Sequence, residues 1–155
     1  MSSPVAIPLQ RVQWATDLVR LEIVLWERLD ARLRERHELS LAFFESLYFI
    51  AGAPDGSARV GDLANALKVT IGGTSKLVDR IEAAGLIARG PDPDDRRASR
   101  LMLTAEGERT LKAATKTYET EVAAFVDPVL TASEQEQMRA YITRLLSAER
   151  EREQA

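Results

Sequence analysis

The segment from residue 60 to residue 104 constrains the fold of this 155-residue chain more than any other part. Asp62 to Leu67 carries apolar residues at helical spacing, and after the short link Lys68–Thr70 a second helical pattern runs as far as Ala84. Gly85 then ends that pattern, because a residue without a Cβ suits the left-handed position after a helix. So short a link predicts two helices that cross at a steep angle.

Two short runs that favour β structure follow the second helix. They are Leu86 to Arg89 and Arg100 to Leu103, and the stretch between them is rich in proline, glycine and charge. This arrangement predicts a β-hairpin with a long polar tip. A helix-turn-helix followed by such a hairpin is a winged helix-turn-helix, which we expect to occupy residues 60–104.

Helical patterns flank this segment on both sides. Leu9 to Leu33 has apolar residues on two sides of the predicted helix, and the surplus indicates a second buried surface, such as a subunit interface. A helix that is simply more buried than average is the alternative. After the hairpin, Thr104 is the predicted N-cap of a helix that ends at Asp127–Pro128, and Thr131 and Glu134 match the capping box of a last helix.

These elements predict a mainly α protein with a small β-hairpin wing, organised as a single domain over residues 1–155. We expect the helices at about residues 8–37 and 105–152 to be dimerisation helices. Residues 40–104 then form the lobe that contains the winged helix-turn-helix, and its first helix is capped by Ser40.

Composition excludes several classes of site. The chain has no cysteine, which excludes disulfides, thiol-based redox sensing and sulfur-rich zinc sites. The formal net charge is −3, but residues 57–100 hold eight Lys/Arg and six Asp/Glu, so positive charge is concentrated in mid-chain. Neither a signal peptide nor a membrane-length apolar run is present, and we expect a soluble cytoplasmic protein without cofactor or metal.

The sequence does not predict an enzyme. His37 is the only histidine, it has no cysteine to form a dyad with, and we interpret it as a surface residue. Glu106 and Glu108 form a pair of acidic residues, but they lie on a predicted helix surface without catalytic partners. The chain also has no glycine-rich phosphate loop.

The start of the second helix of the helix-turn-helix is the predicted DNA contact, because this end enters the major groove in such motifs. Hydroxyl groups there suit phosphates or bases, and basic side chains neutralise phosphates or read guanine. Ordinary capping and solvent exposure are the alternative for the hydroxyl residues. The predicted contact residues are Thr70, Gly72, Gly73, Thr74, Ser75, Lys76 and Arg80.

The two adjacent glycines are unexpected in a helix, where each costs about 1 kcal/mol relative to alanine. Either the backbone at Gly72 and Gly73 approaches the DNA closely, or this end of the helix stays loose until DNA binds. A plainly weak helix start is the third interpretation.

The hairpin tip from Asp92 to Arg97 mixes charges of both signs. It is either a solvated turn or a wing in which acidic residues hold the loop while an arginine, Arg96 or Arg97, extends into the minor groove. A second cluster, of aromatic residues, is either core or the lining of a ligand pocket. Its members are Trp14, Trp26, Phe43 and Tyr48.

Two stretches of the chain resemble the MarR family (multiple antibiotic resistance regulators). Asp95-Arg96-Arg97 followed by Leu103-Thr104-Ala-Glu-Gly107 is similar to the family's D-x-R…L-T-x-x-G signature, and residues 79–89 are similar to the stretch before it. The order of helices agrees over nearly the whole chain. At Gly72 and Gly73 the chain departs from the family, whose members usually carry better helix formers there.

The resemblance implies a role for individual residues and for the assembly. Arg97 would be the wing arginine in the minor groove, and Asp95 its positioning partner. The protein would be an obligate homodimer on a pseudo-palindromic operator, usually a repressor released by a small aromatic or anionic ligand. A winged-helix module that binds another protein instead of DNA is the alternative function.

Overall fold

The computed structural model describes residues 9–155, and the side chains from residue 10 onwards. The elements are α1 (Leu9–His37), α2 (Leu41–Gly52), β1 (Ser57–Ala58), α3 (Val60–Leu67), α4 (Ile71–Ala83), β2 (Ile87–Pro91), β3 (Ser99–Leu103), α5 (Ala105–Val126) and α6 (Ala132–Gln154). Helices with a small antiparallel sheet confirm the predicted fold class. Residue 8, where the first predicted dimerisation segment begins, lies outside the described residues.

The predicted helix starts are confirmed by side-chain caps. The hydroxyl of Ser40 accepts a hydrogen bond from the backbone N–H of Phe43 at 3.1 Å, and Thr131 forms the predicted capping box with Glu134. These caps satisfy N–H groups that have no partner within the helix. Helix α3 starts two residues earlier than predicted, because the carboxylate of Asp62 accepts the backbone N–H of Arg59 at 3.1 Å.

The sheet has three strands in the order β1-β3-β2, one more than the predicted hairpin. β2 and β3 pair as expected, with Ile87 opposite Leu103. The extra strand is β1, which pairs with β3, where Ala58 lies opposite Leu101. Its partner lies far away in the sequence, so no local pattern marks it as a strand.

The chain divides into two compact units, one ending at Tyr118 and the other running from Glu119 to Ala155. The core of the first unit is formed by side chains of the C-terminal half of α1, α2, α3, α4 and the sheet. Its most deeply buried members are Leu33, Leu41, Leu47, Ile50, Leu63, Val78, Ile81, Ile87 and Leu101. This core fixes α4 and the hairpin on one scaffold, and so positions the predicted site.

Two long helices expose apolar side chains that nothing in the described chain covers. The N-terminal half of α1 exposes Val12, Trp14, Leu18, Val19, Ile23 and Val24. In the second unit, α6 contains no buried residue and exposes Met138, Tyr141, Ile142, Leu145 and Leu146. Several exposed apolar side chains on one helix are typical of protein interfaces.

Candidate nucleic-acid interface

Helix α4 presents one polar face to solvent while the other packs on the core. Val78 and Ile81 are buried, whereas Lys76 and Arg80 are exposed on the opposite side. The guanidinium carbon of Arg80 lies 5.5 Å from the ring centre of Phe43, within cation–π distance. The aromatic ring therefore orients Arg80 without neutralising its charge.

The threonines at the start of α4 have different roles. Thr70 is the N-cap of α4, and its hydroxyl accepts the backbone N–H of Gly73 at 3.1 Å. Thr74 is wrongly placed among the predicted contacts, because its side chain is 0% exposed and its hydroxyl donates to the carbonyl of Thr70 at 2.9 Å. Thr74 supports the helix start from inside, and Ser75, next to it, is half-buried.

The tip of the β2–β3 loop is held by a short acidic turn. The carboxylate of Asp95 accepts the backbone N–H of Arg97 at 2.9 Å, and the N–H of Ala98 donates to the carbonyl of Asp95 at 3.2 Å. Such Asx turns stabilise loops through local hydrogen bonds. Arg96 and Arg97 are both exposed, so the loop presents two guanidinium groups to solvent.

Asp92, by contrast, is buried at the base of the loop and not solvated as the sequence suggests. Its side chain is 0% exposed, and Oδ2 accepts from Nε of Arg59 at 2.7 Å and lies 3.2 Å from Nε of Arg100. The other oxygen, Oδ1, accepts the backbone N–H of Asp94 at 2.9 Å. One carboxylate therefore joins the start of α3, strand β3 and the entry to the loop tip.

These contacts also set the protonation of Asp92. The hydrogen bond from Arg59, then that from the backbone of Asp94, and the positive charges of Arg59 and Arg100 together lower the pKa of Asp92 from 3.8 to about 2. The hydrogen bond to Asp92 in turn raises the pKa of Arg59. The cluster is thus ionised throughout the physiological pH range.

The hairpin is also tied to α4 and to α5. Arg89 of β2 forms ion pairs with Asp79 and with Glu82 of α4, the latter at 3.3 Å. At the other end, the hydroxyl of Thr104 donates to the carbonyl of Gly85 at 2.6 Å and accepts the N–H of Gly107 at 3.0 Å. The wing and α4 are therefore held together at several points of one scaffold.

Comparison with known proteins identifies this arrangement. Residues 44–98, from α2 to the end of the loop tip, match the model of the MarR family. The fold is similar to that of two solved MarR family transcriptional regulators from Streptomyces coelicolor, AbsC and Sco3205, over 96% and 95% of this chain. Over residues 44–98 the chain is therefore similar to the MarR family.

Two structures of MarR-like proteins solved with DNA are similar to the chain. Sco3205 from Streptomyces coelicolor, in complex with DNA, is 23% identical with a TM-score of 0.79, over 95% of this chain and 91% of that one. MepR from S. aureus, also in a DNA complex, is 27% identical with a TM-score of 0.72, over 87% and 97% of the two chains.

Sequence similarity to a curated relative is confined to part of the chain. The uncharacterized HTH-type transcriptional regulator YsmB of Bacillus subtilis (strain 168) is 35% identical over 57 residues. That alignment covers 37% of this chain and 39% of YsmB. The matched proteins are regulators by name, which agrees with the prediction that the chain is not an enzyme.

The L-T-x-x-G part of the MarR signature has a steric reason in this structure. Thr104 caps α5 and bonds back to Gly85, where the chain turns at a φ of +75°. A Cβ on Gly107 would lie 2.0 Å from the carbonyl oxygen of Leu86, which already accepts the N–H of Thr104 at 3.0 Å. Only glycine allows the first turn of α5 to lie so close to the chain leaving α4.

The four aromatic residues predicted to line a ligand pocket are not brought together. Tyr48 borders an open cleft of about 570 Å³, together with Leu103, Leu111, Lys112 and others. Phe43 lies beneath Arg80, and neither it nor Trp14 or Trp26 lines this cleft. Phe44 stacks between Tyr48 and Tyr118, with ring centres at 6.3 and 4.9 Å, so part of the aromatic cluster is core.

The remaining predictions concern chemistry and membranes. His37 is partly exposed and partly buried, and its Nε2 lies 2.7 Å from the hydroxyl of Thr117. Within residues 9–155 no group of three or more His, Asp or Glu side chains is placed to hold a metal ion. No helix in this part of the chain combines the length and the apolar character needed to cross a membrane.

Sequence reasoning missed the cluster of Arg59, Asp92 and Arg100. Asp92 follows a proline and precedes another, which favours a turn, and it lies 33 positions from Arg59. No periodicity links residues so far apart. Only the pairing of β1 with β3 brings the start of α3 next to the base of the wing.

Proposed function

We propose that this chain is a transcriptional regulator that acts in the cytoplasm as a homodimer on pseudo-palindromic duplex DNA. One observation carries the proposal: basic and hydroxyl side chains are exposed on α4 and on the wing of a fold that, in Sco3205 and MepR, was solved with DNA. The acidic net charge does not oppose it, because the positive charge is concentrated in this lobe.

In the proposed complex the start of α4 enters the major groove, and its free N–H groups and basic residues contact phosphates and base edges. Thr74 is removed from the contact set by its burial. The proposed contacts on α4 are Thr70, Gly72, Gly73, Ser75, Lys76 and Arg80. Arg97 reaches into the minor groove, and its backbone N–H is held by the carboxylate of Asp95. Arg96 adds a second positive charge beside it.

Replacement of the wing arginine tests this arrangement. Arg97→Ala should weaken operator binding by about 1 to 3 kcal/mol, because one charged contact in the groove is lost. Fluorescence anisotropy with a duplex selected from a random pool measures the change. Arg150→Ala, which removes an exposed arginine from α6, is the matched control and should leave affinity unchanged. Equal affinity of Arg97→Ala and the unsubstituted protein would remove the wing from the interface.

Salt dependence in the same titration separates DNA binding from the alternative, a winged-helix module that binds another protein. Each phosphate contact should add a slope of about −0.9 to the plot of log K against log salt concentration. Absence of duplex binding at low salt would favour the protein-binding module.

We further propose repression that a small aromatic or anionic effector relieves. The cleft beside Tyr48 supports this part, because it combines an aromatic ring and apolar walls with the ammonium group of Lys112. Repeating the DNA titration in the presence of benzoate tests it. Benzoate should weaken operator binding by the unsubstituted protein and have no such effect on Lys112→Ala. If benzoate did not change operator binding by the unsubstituted protein, this part of the proposal would be contradicted.

The exposed apolar faces support the dimer. In this proposal the segments at about 8–37 and 105–152 bind a second copy, leaving residues 40–104 as the DNA-binding lobe of one functional domain. Leu145→Arg should convert the dimer into a monomer, since it places a charge within the apolar face of α6. Sedimentation velocity at micromolar concentration measures the change.

Thr143→Arg is the control for this substitution. It adds the same charge to the same helix two positions earlier. Because an α-helix has about 3.6 residues per turn, a residue two positions away lies on roughly the opposite side of the helix. Position 143 is exposed, and the control should remain dimeric. A monomeric unsubstituted protein would contradict the proposed assembly.

A further inference from the structure

The two adjacent glycines at the start of α4 have different surroundings. A Cβ on Gly73 would lie 3.2 Å from Oγ1 of Thr70 and 3.2 Å from Cγ1 of Val69. The turn that leads into α4 therefore crowds position 73, and glycine there spares the Thr70 cap. A Cβ on Gly72 would meet nothing within 4 Å, so packing within the described chain does not call for glycine at that position.

Backbone conformation does not account for Gly72 either. Among the described residues, the glycines with positive φ are Gly56 and Gly85, and Gly72 lies within the helix. Glycine in a helix is destabilising relative to alanine, because the unfolded chain has more freedom to lose. The bare backbone at Gly72 is thus unfavourable for folding, and neither packing nor backbone conformation within the described chain offsets that cost.

The residue before it, Ile71, is the first of α4 and is 66% exposed. A single exposed apolar side chain needs no explanation of its own. Here, however, the large branched side chain of Ile71 lies directly beside Gly72, which has no side chain. Both residues are at the start of α4, the end of the helix that is proposed to enter the major groove. Together they form a notch with an apolar wall and an open backbone floor.

The chemistry of the major groove indicates what fits this notch. The C5-methyl group of thymine is the apolar group displayed there, and apolar side chains recognise it by contact. We propose that Ile71 packs on the methyl group of a thymine in each operator half-site, while Gly72 leaves room for the neighbouring base edge. This inference rests on the proposed DNA binding and adds a base preference to it.

Selection from a random duplex pool gives the first test. The unsubstituted protein should select thymine at one position of each half-site, and Ile71→Ala should lose that preference while the rest of the site stays the same. Replacement of this thymine by deoxyuracil, which lacks only the methyl group, should weaken binding of the unsubstituted protein about tenfold, within the range of a single mismatch. Ile71→Ala should bind both duplexes equally.

Gly72→Ala tests the floor of the notch. It should raise the melting temperature, because alanine favours the helix, and weaken binding to the selected duplex by about tenfold or more. Gly61→Ala is the control, since Gly61 is also a helical glycine with open space around it and lies in α3. It should leave DNA affinity unchanged.

The outcomes separate this inference from the proposed function. Two results would overturn the proposed role of the notch and leave DNA binding intact. One is a selected palindrome that is bound equally well with thymine or deoxyuracil. The other is an unchanged operator affinity in Gly72→Ala. Failure to bind any duplex would overturn both.

Discussion

Gly107→Ala should lower the free energy of unfolding by about 3 kcal/mol, the upper part of the range for overpacking a filled site. The added methyl carbon would lie 2.0 Å from the carbonyl oxygen of Leu86 and 3.0 Å from its carbonyl carbon. That oxygen cannot simply move away, because it accepts the N–H of Thr104 at 3.0 Å. The substitution therefore forces α5 away from the chain that leaves α4.

Thermal unfolding measures this effect, and the expected fall in Tm is roughly 10 °C for a chain of this size. Gly61→Ala is the control, because Gly61 is a glycine of α3 whose added Cβ would meet nothing within 4 Å. The control should be neutral or stabilising. If Gly107→Ala were as stable as Gly61→Ala, the close approach of α5 to Leu86 would be wrong.

Asp92→Asn should destabilise the protein. It should also weaken operator binding by about tenfold, an effect similar in size to the loss of a direct contact between the wing and DNA. The amide keeps the shape of the carboxylate but removes the charge that Arg59 and Arg100 share. The two guanidinium groups then repel each other at the base of the wing, and the loop that carries Arg97 loses its fixed position. Asp94→Asn, an exposed neighbour in the same loop, is the control and should change neither property.

The pH dependence of stability gives Asp92→Asn a signature of its own. Because the pKa of Asp92 is lowered from 3.8 in the unfolded chain to about 2 in the folded one, its stabilising effect is complete above about pH 4. That effect is lost as the pH falls toward 2. The stability difference between the unsubstituted protein and Asp92→Asn should shrink over this interval.

Other acids do not obscure this comparison. The pKa values of Asp30 and Glu134 are also lowered, but both residues titrate equally in the two proteins and cancel in the difference. Chemical denaturation at pH values between about 4 and 2 measures the difference. A difference that stays constant over that interval would show that the charge of Asp92 is not shared with the two arginines.

Most of the secondary structure was predictable because it depends on residues close together in the sequence. Ser40, Thr70 and Thr131 each cap a helix through an N–H three positions away. Gly85 ends α4 at a positive φ for an equally local reason. Strand β1 was missed because its hydrogen bonds go to β3, which no local pattern reveals.

The candidate site was predictable only in outline. Exposure on α4 follows from helical periodicity for Lys76 and Arg80. The same periodicity places Thr74 on the buried face with Val78, four positions later, but a hydroxyl side chain considered by residue type alone favours solvent. Thr74 satisfies its hydroxyl on the carbonyl of Thr70, so a polar residue can lie on the core side of the helix.

The sequence alone determined the winged helix-turn-helix, its helix caps and the concentration of basic residues within it, because spacing, capping and turn chemistry act over a few residues. The tertiary structure decided that Asp92 is a buried link between Arg59 and Arg100, and that Gly107 is required by the carbonyl of Leu86. These distinctions are distances between parts of the chain that only folding brings together.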